Sequence, residues 1–193
     1  MTNRDRVYVC FDSYNDFRYY QMMQTWKRNH DTHFNFYHGQ NLNKASEYNA
    51  EEEIKRELRK RIQPAKSLVV LIGESTRYLH KFVQWEMEQA LDLDLPIIGV
   101  NLNGLRGQDI ERCPFVIHDK LAVYISFNAV ILDHALSTWP KSHVFLKQEG
   151  KTGPYYYPDN IYEHLGLQRS GKPKQIHELI DQRNRNRYMS SSE

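Results

Sequence analysis

One carboxylate in this sequence stands where a charge loses hydration. In the segment Phe82-Val83-Gln84-Trp85-Glu86-Met87-Glu88-Gln89-Ala90, helical spacing of about 100° per residue gathers Val83, Met87, Ala90 and Leu91 into an apolar stripe. Glu86 falls roughly 40–60° from the middle of that stripe, whereas Glu88 falls on the opposite, solvated side. Phe82 precedes Glu86 by one turn on the same flank, so ring and carboxylate are neighbours. A carboxylate bordering an apolar surface has its pKa raised by desolvation. Geometry alone leaves two roles for Glu86, a structural ion pair or action on a ligand.

Other chemistry-bearing residues make weaker patterns. His30, His33 and His38 have no cysteine or carboxylate set at ligand spacing, which favours surface or packing roles over a metal site. The chain has no G-x-x-x-x-G-K-[ST] and no G-x-S-x-G, which argues against a P-loop nucleotidase and a serine hydrolase. Asp12 and Asp16 imitate the acidic pocket of a phosphorelay receiver, but the third strand ends in Ile72-Gly73, not in an aspartate. Asp12 reads equally well as a turn cap. The basic run 55–61 has helical spacing and reads as a solvated face. Arg183, Arg185 and Arg187 make too small a footprint for nucleic acid.

The elements that must position these residues alternate strand and helix. Strands are expected at 6–11, 33–38, 67–72, 96–100 and 121–125, and helices at 16–28, 50–62, 81–93 and 129–136. The run SLVVLI carries nearly continuous apolar residues, as a strand covered on both faces must. The helix from Ala50 carries Glu51, Glu52 and Glu53 in its first turn and Arg59, Lys60 and Arg61 at its end, an order that complements the helix dipole. Strands separated by helices predict βαβ units and an α/β, flavodoxin-like parallel sheet of about five strands with helices on both faces, plus a C-terminal extension. The segment 147–157 is turn-rich and aromatic and fits none of these elements. The expected organisation is a domain over 1–127, an extension over 128–168 packed on it, and a polar tail over 169–193. In such a sheet, ligands bind beyond the carboxyl ends of the strands, where strand order reverses.

A length of 193 residues accommodates one such domain with its own core, and 12% aromatic content with a net charge of +2 argues against disorder. The near-neutral charge gives no strong pull toward nucleic acid or anionic membrane. Two cysteines, Cys10 and Cys113, make no disulfide framework, and no signal peptide or membrane-spanning run is visible, so a cytoplasmic location is expected.

The block VVLIGESTRYLHKFVQWEMEQA, residues 69–90, resembles the TIR-like family of bacterial anti-phage defence and related archaeal proteins. There a strand reading V-[IV]-L-I-G leads through a Thr-containing loop to W-V-x-W-E-[IL]-x-x-A on a helix. This chain departs at Phe82, where the family has Trp, and at Met87. The opening VYVCFDSYND is similar to the family's first strand and loop, and the likeness covers residues 6–127. Within the family the chain looks most similar to the TIR-like signalling component of the Thoeris system.

The resemblance implies a TIR fold acting on NAD as substrate, with no cofactor and no metal, and Glu86 as the catalytic glutamate. It also implies a cyclic ADP-ribose isomer as product, diffusing to a partner effector NADase. The trigger is expected to be phage-derived; a homo-oligomer is compatible with this picture, and no membrane or nucleic-acid partner is expected. Nicotinamide is already a cationic leaving group in NAD, so the chemistry needs one carboxylate facing an oxocarbenium-like ribose. Phe11 and Phe82 are the expected aromatic wall for the flat bases, with Tyr48, Trp85 and Tyr14 as weaker members, and Asp12 as a ribose ligand if it is not a cap. The polar loop 40–49 could gate the pocket, leaving the isolated chain inert without a trigger. Two other classes fit the same sheet: a TIR scaffold without chemistry, and a deoxyribosyltransferase-like enzyme with a glutamate nucleophile.

Overall fold

The computed structural model describes residues 5–29, 34–39, 50–78 and 82–168. Six strands, β1 (Asp5–Cys10), β2 (Phe34–Tyr37), β3 (Ser67–Ile72), β4 (Ile97–Asn101), β5 (Ala122–Ser126) and β6 (Pro154–Tyr156), form one sheet in the order β2-β1-β3-β4-β5-β6. Every neighbouring pair is parallel. All residues of β3 and β4 are buried, which is why their sequences are apolar but for Ser67 at the start of one and Asn101 at the end of the other.

Helices α1 (Phe17–Asn29), α2 (Ala50–Ile62), α3 (Phe82–Asp92), α4 (Phe115–His118) and α5 (Ala129–Gln148) lie between and after these strands. Side chains alternate across each strand. Tyr8 and Cys10 of β1, Leu68, Val70 and Ile72 of β3, and Ala122 and Tyr124 of β5 share one core with Ile62 of α2, Met87 and Ala90 of α3, and Ile117 of α4. On the intervening positions, Val7, Val9, Val69 and Leu71 are equally buried, and α1 and α5 contact the strands outside that core. The two-faced covering expected from the sequence is the one observed.

The sheet is wider than the five strands expected. Its sixth strand comes from PYY in the unplaced aromatic segment, pairing Ala122 with Pro154 and Tyr124 with Tyr156. The helix expected at 129–136 continues to Gln148, through Pro140. Proline removes an internal helix hydrogen bond. Ile131, Leu132, Ala135, Leu136, Trp139 and His143 are nevertheless buried in one continuous stripe. Burial of that stripe outweighs the lost bond.

The chain divides into two units, Met1–Pro158 and Asp159–Glu193. In the second, α6 (Asp159–His164) ends with Gly166 at φ +73, where Leu167 N–H donates to the Tyr162 carbonyl and Gly166 N–H to that of Glu163. The loop 40–49, with Tyr48, and the tail 169–193 lie outside the described residues. No helix among those described is long and apolar enough to cross a membrane.

Candidate functional site

The chain runs from β1 outward to β2 and then back past β1 to β3, so strand order reverses between β1 and β3. A crevice is expected at the carboxyl ends of these strands, and the short segments after β1 and β2 meet α3 there. A small cavity at this point is lined by Val9, Phe11, Ser13, His38, Gly39, Phe82, Val83 and Glu86. Its volume of about 20 Å³ is close to that of a single water.

Glu86 is 8% exposed, deeper than a position on the edge of a helical stripe implies. Tyr8 Oη donates to Glu86 Oε1 at 2.8 Å, and both groups are buried. The Cys10 thiol donates to the Val83 carbonyl at 3.6 Å and stands near the Glu86 carboxylate. Desolvation pushes the Glu86 pKa up to about 7 against the pull of Tyr8 and then Cys10. Burial and the carboxylate together hold the Tyr8 phenol and the Cys10 thiol in their protonated forms. The result is a carboxylate with fixed direction, titrating near neutrality, at the edge of a cleft.

Gly39 completes the enclosure. A Cβ at this position would sit 2.5 Å from Tyr8 Oη and 2.6 Å from Glu86 Oε1, and against Leu58 Cδ2. Only a glycine lets the chain leaving β2 pass so close to the carboxylate. Arg61 of α2 ties this passage down by donating to the His38 carbonyl at 3.0 Å. The His38 ring stands 4.4 Å from Tyr20 and 5.5 Å from Phe11, edge-on to both. Burial and then the nearby Arg61 charge lower its pKa, so it is a neutral imidazole.

Of the residues expected in the site, Phe11, Phe82 and Glu86 meet in this cavity. The Phe11 ring is stacked on Tyr20, with centroids 5.1 Å apart. Asp12 and Trp85 are not in the cavity lining. Both Asp12 oxygens are engaged in the turn after β1, accepting from Tyr14 and Asn15 N–H at 2.8 and 3.2 Å, Asn15 Nδ2 at 2.7 Å and Ser75 Oγ at 2.6 Å. It is a cap, with its pKa raised by burial but brought below the ordinary value by these bonds. Trp85 packs against the core with Arg59 over its ring. The ring faces α2 because residues three and four apart on α3 share a face and neighbours do not. Tyr14 is exposed at 92%.

Sequence reasoning missed Tyr8, Cys10, His38 and Gly39. A tyrosine and a cysteine in an apolar strand read as packing, and only the α3 crossing places a carboxylate over them. His30 and His33 lie outside the described residues, and among those described no three His, Cys, Asp or Glu side chains form a metal-binding group.

A family model for the TIR-like domain of the Thoeris protein ThsB matches residues 8–107. The chain belongs to that family. The matched span runs from Tyr8 in β1 past the end of β4 and includes every residue that lines the Glu86 cavity; β5, α5 and β6 lie beyond it. No curated protein matches the chain. Membership of the ThsB TIR-like family places the chain in Thoeris anti-phage defence.

A second acidic residue, Asp16, is buried against Gly73 at the end of β3. Burial, with the Asp12 charge beside it, pushes its carboxyl up to about 6, and its Oδ2 has no hydrogen-bond partner. A Cβ on Gly73 at the end of β3 would lie 2.6 Å from Asp16 Oδ1 and closer still to Oδ2. Gly73→Ala is therefore expected to destabilise the fold by about 1–3 kcal/mol, read as a lower thermal midpoint. Because repulsion between Asp16 and the methyl group is steric, adding Asp16→Ala should restore part of the loss.

Proposed function

We propose that the chain cleaves the nicotinamide–ribose bond of NAD and joins the ribose to the adenosine half of the same molecule, giving a cyclic ADP-ribose isomer that signals to an effector NADase. The observation that carries this reading is the buried Glu86 carboxylate, held in one direction at the strand-end crevice of a ThsB-family TIR-like domain. In the reaction the C1′–N bond breaks and its electron pair passes to the pyridinium ring, which leaves as neutral nicotinamide. Ribose C1′ becomes oxocarbenium-like, and Glu86 stabilises that charge and binds the adjacent hydroxyls. A nucleophilic atom of the adenosine half then bonds to C1′, and any proton it carries is released. Excluding water favours this capture over hydrolysis.

The test is mass spectrometry of small molecules from phage-infected cells carrying wild type or Glu86→Gln. A product of the mass of NAD less nicotinamide is expected in the first and absent from the second; its presence in both overturns the assignment to Glu86. Since the active form is the carboxylate, turnover by the activated protein should rise with pH through about 7 and then level off. A rate falling across that range would contradict the role.

A cavity of about 20 Å³ holds no ribose, against the several hundred Å³ of ordinary ligand sites. Turnover therefore requires the cavity to widen, and the isolated chain is expected to be inert until triggered. The same closure favours a second reading, a TIR scaffold that binds other TIR domains. A scaffold would keep its defence function as Glu86→Gln; the enzyme would not.

A further inference from the structure

The geometry points to Tyr8 as the positioning residue of Glu86, the group that aims its carboxylate at the cleft and favours its charged form. Tyr8 is fully buried and is not part of the cavity lining, so it acts on a substrate only through Glu86. Its hydroxyl donates to Oε1 at 2.8 Å. An edge-on contact with Tyr37, centroids 5.5 Å apart at 86°, holds the Tyr8 ring, and the Gly39 backbone passes close beside its hydroxyl. The parallel register fixes the height of this donor, since Tyr8 pairs with Tyr37 on one side and Leu68 on the other.

A phenol bonded to a carboxylate favours the charged form of the carboxylate. Removing the hydroxyl while keeping the ring takes from Glu86 the donor that holds its Oε1. The charged and titratable groups nearby are Cys10 on β1, His38 after β2 and Arg61 on α2. The Arg61 charge acts on both Tyr8 and His38, and none of the three changes in a Tyr8→Phe variant.

The catalytic consequence rests on the NAD-cleaving reading above, whereas the titration of Glu86 does not. The deciding experiment is ¹³C NMR of side-chain-labelled glutamate in the full chain, with Glu86 assigned by the signal lost in Glu86→Gln. Tyr8→Phe should raise the Glu86 midpoint by about one pH unit, cutting the carboxylate fraction at pH 7 about fivefold. Activated turnover should fall by the same factor at pH 7 and recover above pH 9, with KM little changed. An unmoved or lowered midpoint in a Tyr8→Phe protein that melts cooperatively overturns the role. If packing tolerates the phenylalanine poorly, ¹³Cζ-labelled tyrosine in the wild type supplies a second reading: the Tyr8 signal should shift with the titration of Glu86, to which its hydroxyl is bonded, and a Tyr8 signal that does not follow that midpoint overturns the role. Failure of the wild type to form any product refutes the enzymatic reading alone, and the NMR midpoint still judges Tyr8.

Discussion

Glu86→Gln is expected to abolish product formation while making the protein more stable above neutral pH. The amide keeps the shape of the side chain but cannot stabilise a ribose cation, and a loss of at least about 10³-fold in turnover is expected. The stability gain follows from linkage. The Glu86 pKa is about 7 in the folded protein and 4.5 ordinarily, so between these values the folded state binds the extra proton. Its stabilising contribution is complete below pH 4.5 and is lost as pH rises through 7. By pH 8 the buried charge costs the wild type about 3 kcal/mol relative to the protonated form. The glutamine variant has no such loss. Its thermal midpoint should exceed that of the wild type by about 6–12 °C at pH 8 and approach it at pH 5. Equal midpoints at pH 8 would mean that Glu86 is far better solvated than its burial indicates. A functional carboxylate that destabilises its own fold is the expected signature of a site kept for chemistry.

The second large effect is at Gly39. In Gly39→Ala the new methyl group meets Leu58, Tyr8 Oη and Glu86 Oε1 together. Two of the three are partners in one hydrogen bond, so neither can withdraw without breaking it. Overpacking of this kind costs about 1–3 kcal/mol, to which loss of the charge-assisted bond adds about 1.5 kcal/mol or more. The thermal midpoint should fall by about 5–15 °C. Coupling identifies the cause. In Tyr8→Phe the hydroxyl that collides is gone, so the double variant should lose clearly less than the two single losses added together. Strict additivity would show that the alanine acts through the backbone after β2, not through the Tyr8–Glu86 pair.

Both expectations depend on contacts between residues far apart in the chain, and this marks the division between what the sequence reveals and what it leaves open. The strands up to β5 and helices α1, α2 and α3 were legible because each is a local matter: nearly continuous apolar runs for β3 and β4, dipole-matched charges and apolar spacing for α2. The short α4 (Phe115–His118) fell where no element was expected. Boundaries agree within a residue or two, as for α3, expected over 81–93 and found at Phe82–Asp92. Glu86 was legible for the same reason, since helical spacing alone sets it against an apolar flank, and the W-E pattern on α3 carried the family.

Tertiary structure decided the rest. A tyrosine on β1, a glycine after β2 and a glutamate on α3 become one unit only when β1 lies between β2 and β3 and α3 crosses above it. No local propensity encodes that distance. Burial against the sheet carried α5 through Pro140, and pairing with the edge of β5 drew the largely exposed PYY into a sixth strand, two outcomes that short-range patterns oppose. Sequence by itself determines which surfaces must leave water; which partners they find there, and how tightly a carboxylate is enclosed among them, is settled by packing across the sheet.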